Sequence, residues 1–303
     1  MTGLRRPRLA AWVTTVAVGA VALSACSSGT AANGHTSSKS TAEVRPAHVY
    51  AAPAGLLGIA APQQNGVLWL LAGSSSARAL HALDLSNSSL VGAVPVSNSA
   101  SSLAQSSTGE LADGIATATA GAVELRNGST GALVATVPVG APVRQLVYGA
   151  DGNTLYVLDG NAASASVTVV DTGSKTVQGS FGVGLDTVAV APSPDQTSVW
   201  TLSSKGTVEQ LAVAGGKVEA RFTVGHSGTD LVVSPTGDRL YVLKGAAGSR
   251  NVAEVTVATE QVRTVLPAPA DCVAVALSAD GQTLYDAVGT PSVGNVQAFA
   301  LGG

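Results

Sequence analysis

The chain has 303 residues, of which 46% are hydrophobic and 12% are charged, and its formal net charge is −3. This length suits one large domain or two ordinary ones, and the composition excludes a disordered chain and a coiled coil rich in Glu and Lys. Three of the 16 basic residues lie in the first eight positions, which leaves 13 basic against 19 acidic residues beyond them. The body of the chain therefore has no electrostatic attraction for nucleic acid, and no nucleic-acid partner is expected.

The N-terminal segment has the pattern of an export signal. Three arginines within residues 5–8 precede an uncharged, mostly apolar run over residues 9–23, which is shorter than the ~20 residues of a spanning helix. The run ends in Leu-Ser-Ala-Cys at residues 23–26, which closely resembles the bacterial lipobox. The resemblance implies a signal peptide over residues 1–25, lipidation of the Cys26 thiol and anchoring at the extracytoplasmic face of the cell membrane. An ordinary signal peptide with a chance cysteine and a short membrane anchor are the alternatives.

The next segment, residues 26–46, predicts a flexible tether because Ser, Thr, Gly, Ala and Asn dominate it and no apolar period is present. Residues 47–303 are predicted to form the folded domain. If Cys26 is lipidated, Cys272 has no disulfide partner. Cys272 lies in an apolar strand pattern, which predicts a small buried hydrophobic residue and not a reactive thiol.

A hairpin motif recurs along the predicted domain. Each copy contains one aromatic residue. In four copies these aromatic residues are separated by 44, 41 and 44 positions, and they are Tyr156, Trp200, Tyr241 and Tyr285. Trp69 lies two steps before the first of them, and a degenerate copy between them is expected to place Asp113 at the aromatic position. Because the spacing equals whole repeats, these aromatic residues are predicted to be equivalent core positions.

Each repeat of ~40–45 residues contains four short β patterns. In one copy they cover residues 187–191, 198–202, 207–213 and 218–224, with turn residues between them and no helical period. Four antiparallel strands per repeat form the blade of a β-propeller. The sequence therefore predicts an all-β fold, a single propeller with six blades, with seven as the alternative if the degenerate copy is misread.

The two ends of the predicted domain complement each other. The last repeat contains three strands, Val273–Leu277, Thr283–Val288 and Asn295–Leu301, whereas an additional strand over residues 47–51 precedes the first repeat. We expect Val49 and Tyr50 to pair with the last strand, so that the N-terminal strand closes the ring and protects its edge.

The hairpins of the form Asp-Gly-x-x-Leu-Tyr-Val, as at residues 151–157, and the strands ending in Val-Pro-Val, as at residues 133–139, resemble the YVTN family of β-propeller repeats. The resemblance covers roughly residues 56–301, although Tyr156-Val157 is followed by Leu158-Asp159 and not by the tetrad that names the family. It implies a propeller and leaves the function open. Such repeats are similar to those of quinoprotein and lactonase propellers and of non-catalytic surface proteins.

Candidate ligand-binding residues lie where the innermost strands begin. They are Arg144, Gln145, Asp186, Asp230 and Asp271. Converging carboxylates beside an arginine could bind a cation or a polar solute at the channel mouth, and the alternative is that each Asp caps its own loop. The His residues lack metal-ligand spacing, and the Asp-Gly pairs fit turns better than calcium loops. No catalytic residue and no cofactor are predicted.

The sequence predicts a membrane-anchored extracytoplasmic lipoprotein that acts as a non-catalytic binding or interaction scaffold for an unidentified protein or small-molecule ligand. The alternative is a propeller enzyme, a quinone-cofactor dehydrogenase or a lactonase, with its site at the channel mouth. Four His, three Trp and a low charge content favour the scaffold.

Overall fold

The computed structural model describes residues 45–61, 66–246 and 248–301, which form twenty-four β-strands in six four-stranded sheets. Every strand pair is antiparallel, as for Tyr50 opposite Val296, and each sheet is one blade of a propeller. No described residue is helical, and within these ranges no helix could therefore cross a membrane. The six-bladed all-β propeller is confirmed, and the seven-blade alternative is wrong.

The blades are numbered in chain order. Blade 1 contains β2 (Leu56–Ala60), β3 (Val67–Gly73), β4 (Arg78–Asp84) and β5 (Ser89–Val96). Blade 2 contains β6 (Ala100–Gln105), β7 (Leu111–Ala116), β8 (Gly121–Arg126) and β9 (Leu133–Pro138). Blade 3 contains β10 (Val143–Tyr148), β11 (Thr154–Gly160), β12 (Ala165–Asp171) and β13 (Thr176–Gly182). Blade 4 contains β14 (Thr187–Pro192), β15 (Ser198–Ser203), β16 (Thr207–Ala212) and β17 (Val218–Thr223). Blade 5 contains β18 (Gly228–Val233), β19 (Arg239–Lys244), β20 (Asn251–Thr256) and β21 (Gln261–Pro267). Blade 6 contains β22 (Cys272–Leu277), β23 (Thr283–Gly289), β24 (Gly294–Ala300) and the N-terminal β1 (His48–Ala52).

The N-terminal strand closes the ring, as expected. In β1, Val49 lies opposite Gln297 and Tyr50 lies opposite Val296 of β24. The Tyr50 side chain is buried in a cluster with residues of blades 6 and 1, including Tyr285. Strand β1 therefore covers the outer edge of β24 and adds apolar packing between the first and last blades.

Deleting residues 47–52 is expected to lower the melting temperature and to cause aggregation, because it exposes the edge of β24 and removes the Tyr50 side chain from the core. Melting temperature and size-exclusion chromatography measure the two effects. Deletion of six residues within the predicted tether, 30–35, is the length-matched control. A strand deletion as stable and monomeric as this control would contradict a structural role for β1.

The recurring aromatic residues pack between blades. Tyr156, for example, lies in a cluster with Val190 and Val199 of blade 4, and the predicted core role is confirmed. In blade 2 the register corrects the expected position. Ala104 pairs with Ala112 just as Ala60 pairs with Trp69. Alanine therefore occupies the aromatic position there, and Asp113 lies one residue beyond it, on the opposite face of the strand.

Turn geometry explains the Asp-Gly hairpins. The backbone of Gly281 has a φ of +70°, and a Cβ at this position would lie 2.7 Å from Cδ of Pro235 in the preceding blade. The carboxylate of Asp280 accepts hydrogen bonds from the Ser278 hydroxyl at 2.5 Å and from the Gln282 N–H at 2.9 Å. Glycine is thus required both for the left-handed backbone and for close packing between blades.

Candidate functional site

The six innermost strands, β2, β6, β10, β14, β18 and β22, line a central channel with a cavity of about 540 Å³. Each of these strands carries a one-residue bulge at the same place. The bulged residues are Leu57, Ser101, Arg144, Val188, Thr229 and Val273. All six line the cavity, and they form a ring near the mouth where the strands begin. The bulge changes the direction of the side chains on either side of it, so neighbouring residues in one strand have different surroundings.

Gln145 and Asp230 form a hydrogen-bonded bridge in the channel although they belong to blades 3 and 5. Gln145 Nε2 donates to Asp230 Oδ1 at 2.8 Å. The Val190 N–H donates to Gln145 Oε1 at 2.6 Å, and the Val275 N–H donates to Asp230 Oδ2 at 2.9 Å. The bridge therefore connects the inner strands of blades 3, 4, 5 and 6 through side-chain and backbone groups.

The surroundings of Asp230 shift its protonation. Burial raises the pKa of the carboxyl to about 6, and the hydrogen bonds donated by Val275, Leu231 and Gln145 oppose the rise. The Leu231 N–H donates to Oδ1 at 2.9 Å. With a pKa of about 6, the buried Asp230 carboxyl is mainly ionised at pH 7.

Arg144 links blades 3 and 4 by hydrogen bonds. Its guanidinium donates to the carbonyl oxygens of Asn161 at 2.9 Å, Leu185 at 3.3 Å and Thr187 at 3.4 Å. Two further arginines reach the carbonyl of the first residue of the next inner strand: Arg78 donates to Ala100, and Arg250 donates to Cys272. Thr187 is also the first residue of its inner strand. All three arginines therefore link one blade to the start of the inner strand of the next blade.

Asp186 and Asp271 do not join the Gln145–Asp230 bridge. The Asp186 carboxylate is 3.3 Å from the Lys205 ammonium at the protein surface, and Asp271 is exposed. Their backbone carbonyls accept from equivalent N–H groups, those of Ser204 and Gly289, so their predicted equivalence holds. Both precede their inner strand, whereas Asp230 follows a bulge inside one. The five candidate residues therefore do not converge, and ligand binding by them stays a prediction.

The carboxylates at the opposite ends of the inner strands are used in turns. Asp195 accepts from the Ser193 hydroxyl and the Thr197 N–H, and Asp151 accepts from the Asn153 and Thr154 N–H groups. Hydrogen bonds of this kind hold the pKa of both carboxyls below the ordinary value, although burial opposes this at Asp151. Within the described ranges, no group of three or more His, Cys, Asp and Glu residues could hold a metal ion.

The sequence reasoning missed the buried polar residues Asp286 and Ser102, and it placed Asp113 one residue away from its position in the strand. Asp113 and Asp286 are fully buried at equivalent positions of β7 and β23, and Ser102 lies after the bulge of β6. A polar residue within an apolar strand was the available signal for the two aspartates. Cys272 is buried as predicted, and burial raises the pKa of its thiol above the ordinary value.

The comparisons with known proteins agree with the architecture. No protein-family profile and no curated protein matches the sequence. Among solved structures, the chain is similar to the hydrazine synthase of Kuenenia stuttgartiensis, with 19% identity and a TM-score of 0.59. The match covers 80% of this chain and 76% of that chain. At this identity the likeness supports the propeller fold alone.

Proposed function

We propose that this protein is an exported lipoprotein, anchored through a lipid on Cys26, whose propeller serves as a non-catalytic binding scaffold on the extracytoplasmic face of the membrane. The signal peptide over residues 1–25, the lipidated Cys26 and all of the tether over residues 26–46 except its last two residues lie outside the described residues. The basic start, the apolar run and the lipobox-like residues 23–26 support them. The lipid would hold the protein at the membrane, and the tether would separate the propeller from it.

One observation carries the scaffold proposal. The charged and amide side chains predicted to form a channel site, Arg144, Gln145 and Asp230, bond to backbone groups of neighbouring blades. These interactions hold the propeller together, and they leave the outer surface as the place for a partner. A scaffold of packed strands that positions its surface loops is suited to presenting such a surface.

The outer strands of blades 1 and 2 offer an exposed apolar surface. Leu90 and Val91 of β5 are 43% and 58% exposed, and Leu133 and Val134 of β9 are 53% and 54% exposed. The turn that precedes β9 approaches β5, because a Cβ on Gly131 would lie 2.8 Å from the Val94 side chain. A group of exposed aliphatic residues is typical of protein-binding surfaces.

Asp230 is the observation that favours the alternative, a propeller enzyme with its site in the channel. Its pKa of about 6 suits a general base, and it lines the cavity. Three donated hydrogen bonds hold the carboxylate in place and compete with that role. The geometry therefore favours the scaffold.

The test combines anchoring and partner capture. The Cys26→Ser variant is expected to move from the membrane fraction to the soluble fraction, because it lacks the thiol that accepts the lipid. A photo-crosslinking residue at Val91 is expected to capture a protein partner, whereas the same residue at Val293, which is 57% exposed on blade 6, is the matched control. Retention of Cys26→Ser in the membrane would contradict lipid anchoring. Equal labelling at both sites would contradict the proposed surface.

A further inference from the structure

The part of the channel formed by blades 1 to 3 contains polar atoms without partners. Ser102 follows the bulge of β6, the position that Gln145 and Asp230 occupy in β10 and β18. It is 7% exposed, and within the described structure its hydroxyl has no hydrogen-bond partner. Gln105 of the same strand also lines the cavity, and its buried Oε1 has no partner among the described residues. Unpaired buried polar atoms cost stability, so unpaired atoms on residues that line a cavity point to a bound solute.

Backbone N–H groups add donors at this depth of the channel. The N–H groups that donate to Gln145 and Asp230 belong to the second residue after the bulge in blades 4, 5 and 6: Val190, Leu231 and Val275. The same register position in blades 1, 2 and 3 is held by Ile59, Leu103 and Leu146. Because the hydrogen-bond pattern of an antiparallel ladder alternates, these three N–H groups also point away from the second strand and toward the channel.

Gly58 leaves one of these donors uncovered. A Cβ built on Gly58 would lie 3.8 Å from the Leu103 nitrogen, with nothing closer. In blade 3 the equivalent residue is Gln145, whose amide oxygen covers the Val190 N–H. The channel is therefore asymmetric. Side chains cover the donors of blades 4 to 6, whereas Gly58 has no side chain that could cover the Leu103 N–H of blade 2.

The charges disfavour an anionic ligand. The Asp230 carboxylate lines the cavity and would repel an anion, and the Arg144 guanidinium already donates to three carbonyl oxygens. The unpaired groups include donors from the backbone, an acceptor on Gln105 and a hydroxyl on Ser102 that can do both. A compact molecule with hydroxyl groups around its perimeter would match them.

We propose that the channel binds a small neutral polyol, of the size of a cyclitol or a monosaccharide, beside blades 1 to 3. The N–H groups of Leu103 and Leu146 donate to its oxygens, and its hydroxyl groups bond to Ser102 Oγ and Gln105 Oε1. A cavity of about 540 Å³ lies within the range of small-molecule sites. This binding is independent of the surface on blades 1 and 2 and of the lipid anchor.

The probe for this site is myo-inositol, with acetate as the anionic comparison, in saturation-transfer NMR on the full chain. We expect saturation transfer to myo-inositol and none to acetate. Ser102→Ala removes one hydrogen bond and should weaken binding about fivefold. Gly58→Gln supplies an amide that can bond to the Leu103 N–H as Gln145 bonds to the Val190 N–H, and it should abolish binding. Ser204→Ala, in an exposed turn, is the control and should bind as the parent does.

Each other outcome overturns the proposal. Absence of transfer to myo-inositol in the parent shows that no polyol site exists. An undiminished signal in a folded Gly58→Gln variant places the binding outside the channel. Transfer to acetate and not to myo-inositol identifies an anion site. Circular dichroism shows whether each variant folds, and if Gly58→Gln does not fold, an affinity of Ser102→Ala equal to that of Ser204→Ala overturns the proposal.

Discussion

Replacing Asp286 by valine is expected to stabilise the protein at neutral and alkaline pH. Asp286 lies on β23 with no exposed surface, and neither of its carboxylate oxygens has a hydrogen-bond partner within the described residues. Burial raises the pKa of this carboxyl to about 7. Ionising it in the folded protein therefore costs free energy that no hydrogen bond offsets.

The dependence on pH follows from the difference between the folded and unfolded chains. The ordinary pKa of Asp286 is 3.8, so the folded protein binds this proton more tightly than the unfolded chain does. The contribution of Asp286 to the unfolding free energy is therefore most favourable below the unfolded pKa. It falls as the pH rises between the two pKa values and stays low above the folded pKa. A pKa difference of about 3 corresponds to about 4 kcal/mol of unfolding free energy.

Valine is the matched replacement because the equivalent positions of blades 3 and 5 carry Val157 and Val242. At pH 8, we expect the melting temperature of Asp286→Val to exceed that of the parent by on the order of 10 °C. At pH 4 the difference in melting temperature between Asp286→Val and the parent should be smaller, because Asp286 of the parent is then largely protonated. Asp271→Asn removes an exposed carboxylate and is the control, with no expected change at either pH. A gap that does not vary with pH would contradict the assignment.

The fold could be predicted because the recurring residues of the sequence are structural. Tyr156 and its equivalents fill the space between blades, and Asp280 with Gly281 forms a turn that fits against the preceding blade. These positions recur at nearly constant spacing because every blade has the same neighbours. The N-terminal strand could be assigned for a related reason. Each blade of the ring has four strands, so a last repeat with three strands needs one more to complete its blade.

The candidate site could be predicted only in part, because the channel breaks the symmetry of the repeats. Asp230 and Asp186 look similar in the sequence, yet a separation of three positions in register places one in the channel and the other at the surface. Adjacent residues Arg144 and Gln145 have different partners because one of them forms the bulge. The link between Gln145 and Asp230 spans two blades, and residue spacing carries no information on contacts across the axis.

The equivalent of Asp286 in blade 2 is Asp113, since Leu103 pairs with Asp113 as Val275 pairs with Asp286. Asp113 is also fully buried, but it forms an ion pair with Arg126, which is 5% exposed. Arg126 also pairs with Glu124 and donates to the Gly131 carbonyl at 3.2 Å. Burial raises the pKa of Asp113, and the charge and hydrogen bond of Arg126 oppose the rise. The two aspartates thus share a position and differ in their partners.

Asp113→Val is therefore expected to have the opposite effect to Asp286→Val. It leaves the buried Arg126 guanidinium with Glu124 as its remaining carboxylate. Breaking a buried ion pair by removing one partner typically costs about 3–5 kcal/mol, and the pair with Glu124 offsets part of that cost. Urea unfolding at pH 7 measures this loss as a lower midpoint at an unchanged slope. The double variant Asp113→Val with Arg126→Met removes the buried charge that the single variant leaves, so we expect it to recover most of the loss. A single variant as stable as the parent, or a double variant less stable than the single variant, would contradict a stabilising role of the ion pair between Asp113 and Arg126. The same substitution at equivalent positions then destabilises one blade and stabilises another, because the effect of a buried carboxylate depends on whether a cation lies beside it.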